Sequence, residues 1–328
     1  MRLSLSATRS HLPESPVVLV TGASSGIGRA VALGLAHRGG HVVLVARSED
    51  SLDDAARECK EAGAASTLVV PTDIGDDAAV AACVARTLEE HGRIDAAVNA
   101  AGVVAYGRTE EIPPDVFEGV VRTNLLGSVN VARHVIPVLR RQRRGSLVLV
   151  GSILGHVGAP VMTPYVVSKW GVRALARQLQ LENRDIDEVH IGHVAPGGVD
   201  TPIYAQGATS TGSSSSPPPP LHSPEWVAHR ILATLDHPAK QSQVGIGNNV
   251  LRFGFGALPA VYDLVVGPAF KLVALDPTRP VEDTEGNVLE SRPEGNRLHG
   301  DYDNVVHRLA RRVGTVLTGS GSSSGPEA

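Results

Sequence analysis

The chain has 328 residues, enough for one large α/β domain with extensions or for two ordinary domains at roughly 100–200 residues each. A net charge of −4 excludes the strongly basic balance of a nucleic-acid-binding domain, and aromatics at 3% leave Val, Leu, Ile and Ala to build the core. Two cysteines, Cys59 and Cys83, cannot form a disulfide scaffold, and neither they nor the 13 histidines show metal-ligand spacing, so a reduced, cytoplasmic protein without a metal is expected.

Residues 1–16 lack the apolar run of a signal peptide, and 1–15 read as a flexible leader. A β-branched run at 17–21 predicts a buried strand, followed by a Gly-rich turn and a helix that ends at Gly39 and Gly40. Strands are then predicted at 41–46, 67–71, 94–99, 146–151 and 189–195. The helices between them are 51–62, 76–91, one long helix over 115–144 disturbed near Pro137, and 164–183. Strands apolar on both faces, alternating with helices, predict a doubly wound parallel sheet of Rossmann type in a single domain, with ligands at the carboxyl ends of the strands. The dinucleotide domain is assigned to 16–250, an apolar then polar extension to 251–317, and a disordered tail to 318–328. The Ser/Pro-rich stretch at 209–220 is expected to be mobile, because it holds too little apolar surface to offset the entropy of ordering.

The first strand runs into Thr21-Gly22-Ala23-Ser24-Ser25-Gly26-Ile27-Gly28. Glycines there allow a tight turn and close approach of backbone N–H groups to a pyrophosphate, and the next helix turns its positive end toward that anion. The spacing T-G-x-x-x-G-x-G resembles that of the short-chain dehydrogenase/reductase family, in its shorter single-domain branch. At the end of the second strand stands Ala46-Arg47-Ser48, with no carboxylate to take a ribose 2′-OH. Arg47 therefore favours the 2′-phosphate of NADP(H) over NAD(H), and Arg29 is a candidate second phosphate contact. By the same resemblance Asp73, followed by Ile74, would contact the adenine. Asn99-Ala100-Ala101-Gly102 matches the family's N-A-G turn, with Ala100 where Asn is commoner.

Tyr165 and Lys169 lie four apart on a predicted helix and so share one face; Lys169 is one of only four lysines. An ammonium beside a phenol favours the phenolate, which suits the pair to acid–base work at a carbonyl or alcohol oxygen. Ser152 follows the fifth strand, thirteen residues earlier. These three match the family's Ser, Tyr and Lys, and Asn124 matches its helix Asn, which helps hold a water next to the Lys. Pro196-Gly197-Gly198-Val199-Asp200-Thr201 resembles the P-G-x-V-x-T segment that meets the nicotinamide carboxamide. The resemblance covers about 16–203 and then fades. It implies an NADP(H)-dependent oxidoreductase of a carbonyl or secondary alcohol, forming a homodimer or homotetramer. The alternatives are an NAD-dependent alcohol dehydrogenase and a dinucleotide sensor without catalysis.

The apolar stretch 253–275 is read as packing against the domain or a subunit interface; a wall for a lipophilic substrate and a shallow membrane contact are the other readings. Asp263, Lys271 and two prolines in it argue against a spanning helix. A basic amphipathic helix is a further expectation at 305–316.

Overall fold

A computed structural model describes residues 10–300 and 302. The expectations for 1–9, for the amphipathic helix at 305–316 and for the 318–328 tail lie outside the described residues. Seven strands form one parallel sheet: β1 (Val17–Thr21), β2 (His41–Ala46), β3 (Ser66–Pro71), β4 (Ala96–Asn99), β5 (Gly145–Val150), β6 (Val189–Pro196) and β7 (Ser242–Val244). Their order is β7-β6-β5-β4-β1-β2-β3, and chain direction reverses its march across the sheet beside β1. The register sets Thr21 beside Val45 and Asn99, and Asn99 beside Leu149, so the loops that come next leave the sheet along one edge.

The helices that cover the sheet are α1 (Gly26–Ala36), α2 (Glu49–Glu61), α3 (Asp77–His91), α4 (Pro114–Val121), α5 (Gly127–Gln142), α6 (Thr163–Glu182) and α7 (Pro224–Asp236). Their ends reflect local chemistry. Ser48 caps α2 through the Ser51 N–H, Asp76 caps α3 through Ala78 and Ala79, and Gly92 ends α3 at φ 70°. Alternate residues of each strand feed two cores. Val18 and Val20 pack toward α1, α2 and α7 with Leu35, Leu52 and Ile231; Val17 and Leu19 pack toward α3, α5 and α6 with Val84, Val135 and Val172. Each such side chain contributes roughly 1.5–3 kcal/mol on burial.

Three expectations need correction, and one element was not expected. The long helix over 115–144 is broken, but at a π-helical turn, Arg122–Leu126, while Pro137 is carried inside α5. The 10–15 part of the leader is anchored: His11 N–H donates to Asp236 O (2.9 Å) and the Arg93 guanidinium to Ser15 O (2.9 Å). Strand β7, only three residues long, carries too little pattern to be predicted.

The third correction concerns 209–220, which is ordered. Ser213–Ser215 pairs antiparallel with Leu275–Pro280, and Leu221–His222 pairs with Gly198–Val199. Ser215 Oγ donates to Tyr204 O (2.6 Å), and Ser216 N–H to Ala274 O (2.9 Å). The stretch has few apolar side chains, but its backbone groups find partners in the segment some sixty residues later. That segment comes after two helices, α8 (Ile246–Ala257) and α9 (Pro259–Ala274). Among the described residues no helix is long and apolar enough to cross a membrane.

Candidate active site

The Gly-rich turn between β1 and α1 has the backbone that its glycines demand. Gly22 and Gly26 stand at φ 69° and 50°, and a Cβ on Gly28 would lie 2.2 Å from Gly22 O. A Cβ on Gly22 would strike the Ala101 backbone at 2.8 Å, so the turn is also seated on the Asn99–Gly102 loop. Thr21 locks the two together: its hydroxyl donates to Asn99 Oδ1 (2.6 Å) and accepts from Ala101 N–H (3.1 Å). Asn99 is thus a buried brace, its Nδ2 donating to Ser128 Oγ (2.8 Å).

A narrow crevice of about 140 Å³ runs past this turn. Gly22, Ser24, Ser25, Gly26, Ile27, Gly28, Arg47, Asp73, Ile74, Ala100, Gly102 and Thr201 all line it. The cradle is the kind a dinucleotide needs: closely packed glycines, a helix start facing the space, and a cation at the end of β2. Asp73 Oδ1 accepts from Gly75 N–H (2.8 Å), while the helix cap is Asp76, so Asp73 remains on the crevice wall. Arg29 does not reach it. Its guanidinium pairs with Glu58 (2.8 and 2.9 Å) and donates to Ser24 O (3.3 Å), tying α1 to α2, which corrects its candidacy as a phosphate contact.

Arg47 is half-buried and donates to three backbone carbonyls of a later segment: Asn287 (2.5 Å), Val288 (3.3 Å) and Leu289 (3.5 Å). Burial pulls its pKa below the usual guanidinium value, against the opposing pull of Asp73. Asn287, Ser291, Arg292 and Asn296, together with Gln206, also line the crevice. Sequence reasoning missed all five. The one local signal was Glu285-Gly286-Asn287, a turn that stands at φ 57° at its glycine.

The second group of residues gathers around the start of α6. Ser152 comes just after β5 and accepts from Leu154 N–H (3.1 Å), which fixes its hydroxyl at the head of a short 3-10 turn. Lys169 Nζ donates to Val150 O (3.1 Å) and lies 5.6 Å from the Tyr165 ring centroid. A Cβ on Gly102 would lie 3.3 Å from Asn124 Oδ1 and 3.6 Å from Lys169 Nζ, so the Asn99–Gly102 loop, Asn124 and Lys169 converge. The π turn supplies Asn124: its Oδ1 accepts from Val103 N–H (2.9 Å), and its Nδ2 donates to Val103 O (2.9 Å) and Ser168 Oγ (3.0 Å). A buried amide so fully engaged with protein partners explains why the helix accepts the irregular turn.

Burial dominates the electrostatics here. It pushes the Tyr165 phenol up to about 12, with an opposing contribution from the Ser152 hydroxyl, and pushes the Lys169 ammonium down to about 8. The expectation that Lys169 lowers the Tyr165 pKa is therefore not met in this state; desolvation of the phenolate is the larger effect.

Ser152 and Tyr165 also stand in the wall of a second hollow, an apolar cavity of about 460 Å³. Val104, Tyr106, Met162, Tyr204 and Pro218–Pro220 surround them, and the inner faces of α8 and α9 close it. The 253–275 stretch is thus a cavity wall. Its outer side is bare: Phe253 is 67% and Leu264 77% exposed. Gly197 and Gly198 line this cavity while Thr201 lines the crevice, so the segment after β6 runs between the two hollows. Pro196 ends β6, and Val199 is packed in the core beneath.

Away from both, at the opposite ends of the strands, His11, Glu188 and His190 bring possible metal-ligand atoms within 4.8 Å of one another; His11 Nδ1 lies 3.4 Å from Glu188. Arg144 donates to His11 O (3.3 Å) and sets a positive charge beside the group.

A dinucleotide crevice beside a Ser, Tyr and Lys cluster defines an oxidoreductase-type Rossmann protein. The family model for short chain dehydrogenase matches residues 16–210, and the chain belongs to that family, whose members are oxidoreductases. It is similar to the 3-oxoacyl-(acyl-carrier-protein) reductase FabG of Thermotoga maritima, 33% identical over 225 residues, covering 67% of this chain and 89% of that protein. Among solved structures it is similar to an alcohol dehydrogenase from the archaeon Thermococcus sibiricus complexed with 5-hydroxy-NADP, at 29% identity and a TM-score of 0.62, over 70% of this chain and 95% of that one. It is also similar to a short chain dehydrogenase from Mycobacterium paratuberculosis bound to NAD, at 25% identity and a TM-score of 0.64, over 72% and 98%.

Proposed function

We propose that this protein is an NADP(H)-dependent oxidoreductase of lipophilic carbonyls and the matching secondary alcohols. The observation that carries the reading is the position of Ser152 and Tyr165 in the wall of a cavity that is otherwise apolar, with Lys169 behind Tyr165 and the glycine crevice alongside. The 3-oxoacyl compound in the name of the Thermotoga maritima relative is a carbonyl on an acyl chain, which suits such a cavity.

When bound, the nicotinamide supplies the hydride donor or acceptor. Gly22, Ser24, Ser25, Gly26, Ile27 and Gly28 would hold its pyrophosphate side, Arg47, Asp73 and Ile74 the adenosine side, and Gly197 and Thr201 the nicotinamide side. Ser152 Oγ and the Tyr165 hydroxyl hold the substrate oxygen. A phenol held near 12 keeps its proton until negative charge develops on that oxygen, then gives it up; the reverse transfer serves alcohol oxidation. Lys169, held at Val150 O, keeps positive charge near the ring and stabilises the phenolate as it forms. Asn124 is a positioning residue in this scheme, since its amide is committed to Val103 and Ser168. Helices α5 and α6 are the proposed faces of a homodimer or homotetramer; Val167 and Leu181 of α6 are exposed.

Arg47 favours a second reading as well. Because its guanidinium is held by backbone carbonyls, it serves a structural role even with NAD(H), and an NAD-dependent enzyme is the alternative. Measuring oxidation of NADPH and NADH side by side against a panel of ketones and aldehydes separates the two. Consumption of NADPH alone, or at tenfold lower concentration, supports the first reading; preference for NADH overturns it.

A further inference from the structure

The chain returns over the dinucleotide crevice after its two cavity helices. Thr284 and Thr209 exchange two backbone hydrogen bonds (2.9 and 3.0 Å). Gly286 then turns so tightly against the 206–208 loop that a Cβ would lie 2.4 Å from Gln206 O. Asn287 N–H donates to Gln206 O (2.8 Å), and Gln206 Nε2 donates to Arg292 O (3.2 Å) and Asn296 Oδ1 (3.1 Å). Val288 is buried with Val116 and Val120 of α4. Further on, Asn296 Nδ2 donates to Ser51 Oγ of α2 (3.0 Å), Arg297 O accepts from Gly26 N–H at the start of α1 (3.0 Å), and His299 pairs with Glu225 of α7 (2.8 Å). Residues 284–300 thus form a strap fastened on both sides of the crevice.

The strap leaves two cations in the crevice lining, Arg47 and Arg292. Arg292 Nη2 donates to the Thr284 hydroxyl (2.9 Å), and Arg47 to the strap carbonyls. Among the described residues neither forms an ion pair with a carboxylate, although Glu290 and Glu294 flank Arg292 in sequence; Asp73 acts on Arg47 only as a nearby charge. Both cations therefore line a dinucleotide crevice without a direct carboxylate ion pair, and Arg47 sits at the strand end where the ribose 2′ position falls. A phosphate there carries about −1.5 to −2 charges, more than one guanidinium neutralises.

We propose that Arg292, carried by the strap, is a second contact for the 2′-phosphate of the dinucleotide, so that the strap is part of the cofactor site and sets its specificity. This rests on the NADP(H) reading. The strap's bonds to Gln206, Ser51 and Gly26 hold Arg292 in the crevice lining.

The test is the dissociation constant of NADPH and of NADH, read by dihydronicotinamide fluorescence on the purified full chain, for wild type, Arg292→Ala, Arg292→Lys and Arg47→Ala. For an exposed side chain such as Arg292 the expected loss with Arg292→Ala is about fivefold in NADPH affinity, with NADH within twofold. Arg292→Lys should recover most of that loss, and Arg47→Ala should cost NADPH more than Arg292→Ala does. A wild type without preference for NADPH overturns the cofactor reading and this inference with it, before any variant is made. A wild type that prefers NADPH, with Arg292→Ala changing neither cofactor or both equally, overturns this inference alone; an equal loss would mark Arg292 as a structural part of the strap. Arg292→Lys and the NADPH/NADH ratio keep the question decidable if the alanine variant folds poorly.

Discussion

The two hollows of the candidate active site, the crevice and the apolar cavity, are built differently. The crevice is narrow and polar and is made chiefly of turns that leave the strand ends; the sheet register fixes where Thr21, Asn99 and Leu149 stand and so where those turns go. The cavity is about three times larger, apolar, and walled mainly by chain beyond Thr201: the 209–220 stretch, α8 and α9. Ile203 belongs to both linings, and Ser152 and Tyr165 stand in the wall of the second. In the proposed reading the parallel sheet holds the reacting groups, and the later segments that lean on it select the substrate. The two hollows meet at Ile203 and at the Thr209–Thr284 pairing.

The largest expected effect tests the junction. Tyr165→Phe keeps the ring in the cavity wall and removes the proton, so turnover should fall by about 10²–10⁴-fold while NADPH affinity stays within twofold. Appreciable residual turnover would remove Tyr165 from the proton transfer. Next comes the Ser/Pro stretch. Replacing 209–220 with a Gly/Ser linker disturbs the pairing of Ser213–Ser215 with Leu275–Pro280 and removes the Ser215–Tyr204 bond and the Thr209 and Thr211 hydroxyl bonds. At about 1 kcal/mol for each lost hydrogen bond, the melting temperature should drop by about 10 °C, and long-chain substrates should lose more activity than short ones. An unchanged melting curve would show that the stretch is not packed.

Lys169, which the family resemblance also makes a contact for the nicotinamide ribose, gives a pH signature. Burial lowers its pKa from 10.5 to about 8, so between those values the unfolded chain binds the proton and the folded chain does not. Stability contributed at this site therefore rises with pH from about 8 to 10.5. Cofactor binding that uses the ammonium must take up a proton above pH 8, so NADPH affinity should be flat below about 8 and fall by up to tenfold per pH unit above it. Lys169→Met should abolish that dependence; a wild-type profile that is flat to pH 9.5 would contradict the ammonium's role. The smallest effect is on the bare outer face: Leu264→Ser, at a residue 77% exposed, should change the melting temperature by less than about 2 °C, measured by differential scanning fluorimetry.

The same division separates the features legible in the sequence from those that were not. The Gly turn, Ser152, Tyr165 and Lys169 are read from spacing within one strand–turn–helix unit, because their positions depend on local backbone geometry. The features that escaped depend on contacts far along the chain. Asn124 sits on a π turn because its amide is held by Val103, some twenty residues earlier, so the break was wrongly placed at Pro137. Arg29 comes right after the Gly turn in sequence, but helical rotation turns it onto Glu58. The strap at 284–300 has neither helical nor strand period, and its partners Gln206, Ser51 and Gly26 lie some 80 to 270 residues away.

The central claim, that Tyr165 works where the NADP(H) crevice meets an apolar cavity, is tested most directly by one series of rates. NADPH oxidation should be followed with methyl ketones from 2-butanone to 2-decanone at fixed pH. Each buried methylene is worth about 0.8 kcal/mol, so kcat/KM should climb by about fourfold per carbon until the cavity is filled, and NADH should give at least tenfold less. A flat or falling series, or equal rates with NADH, would contradict it.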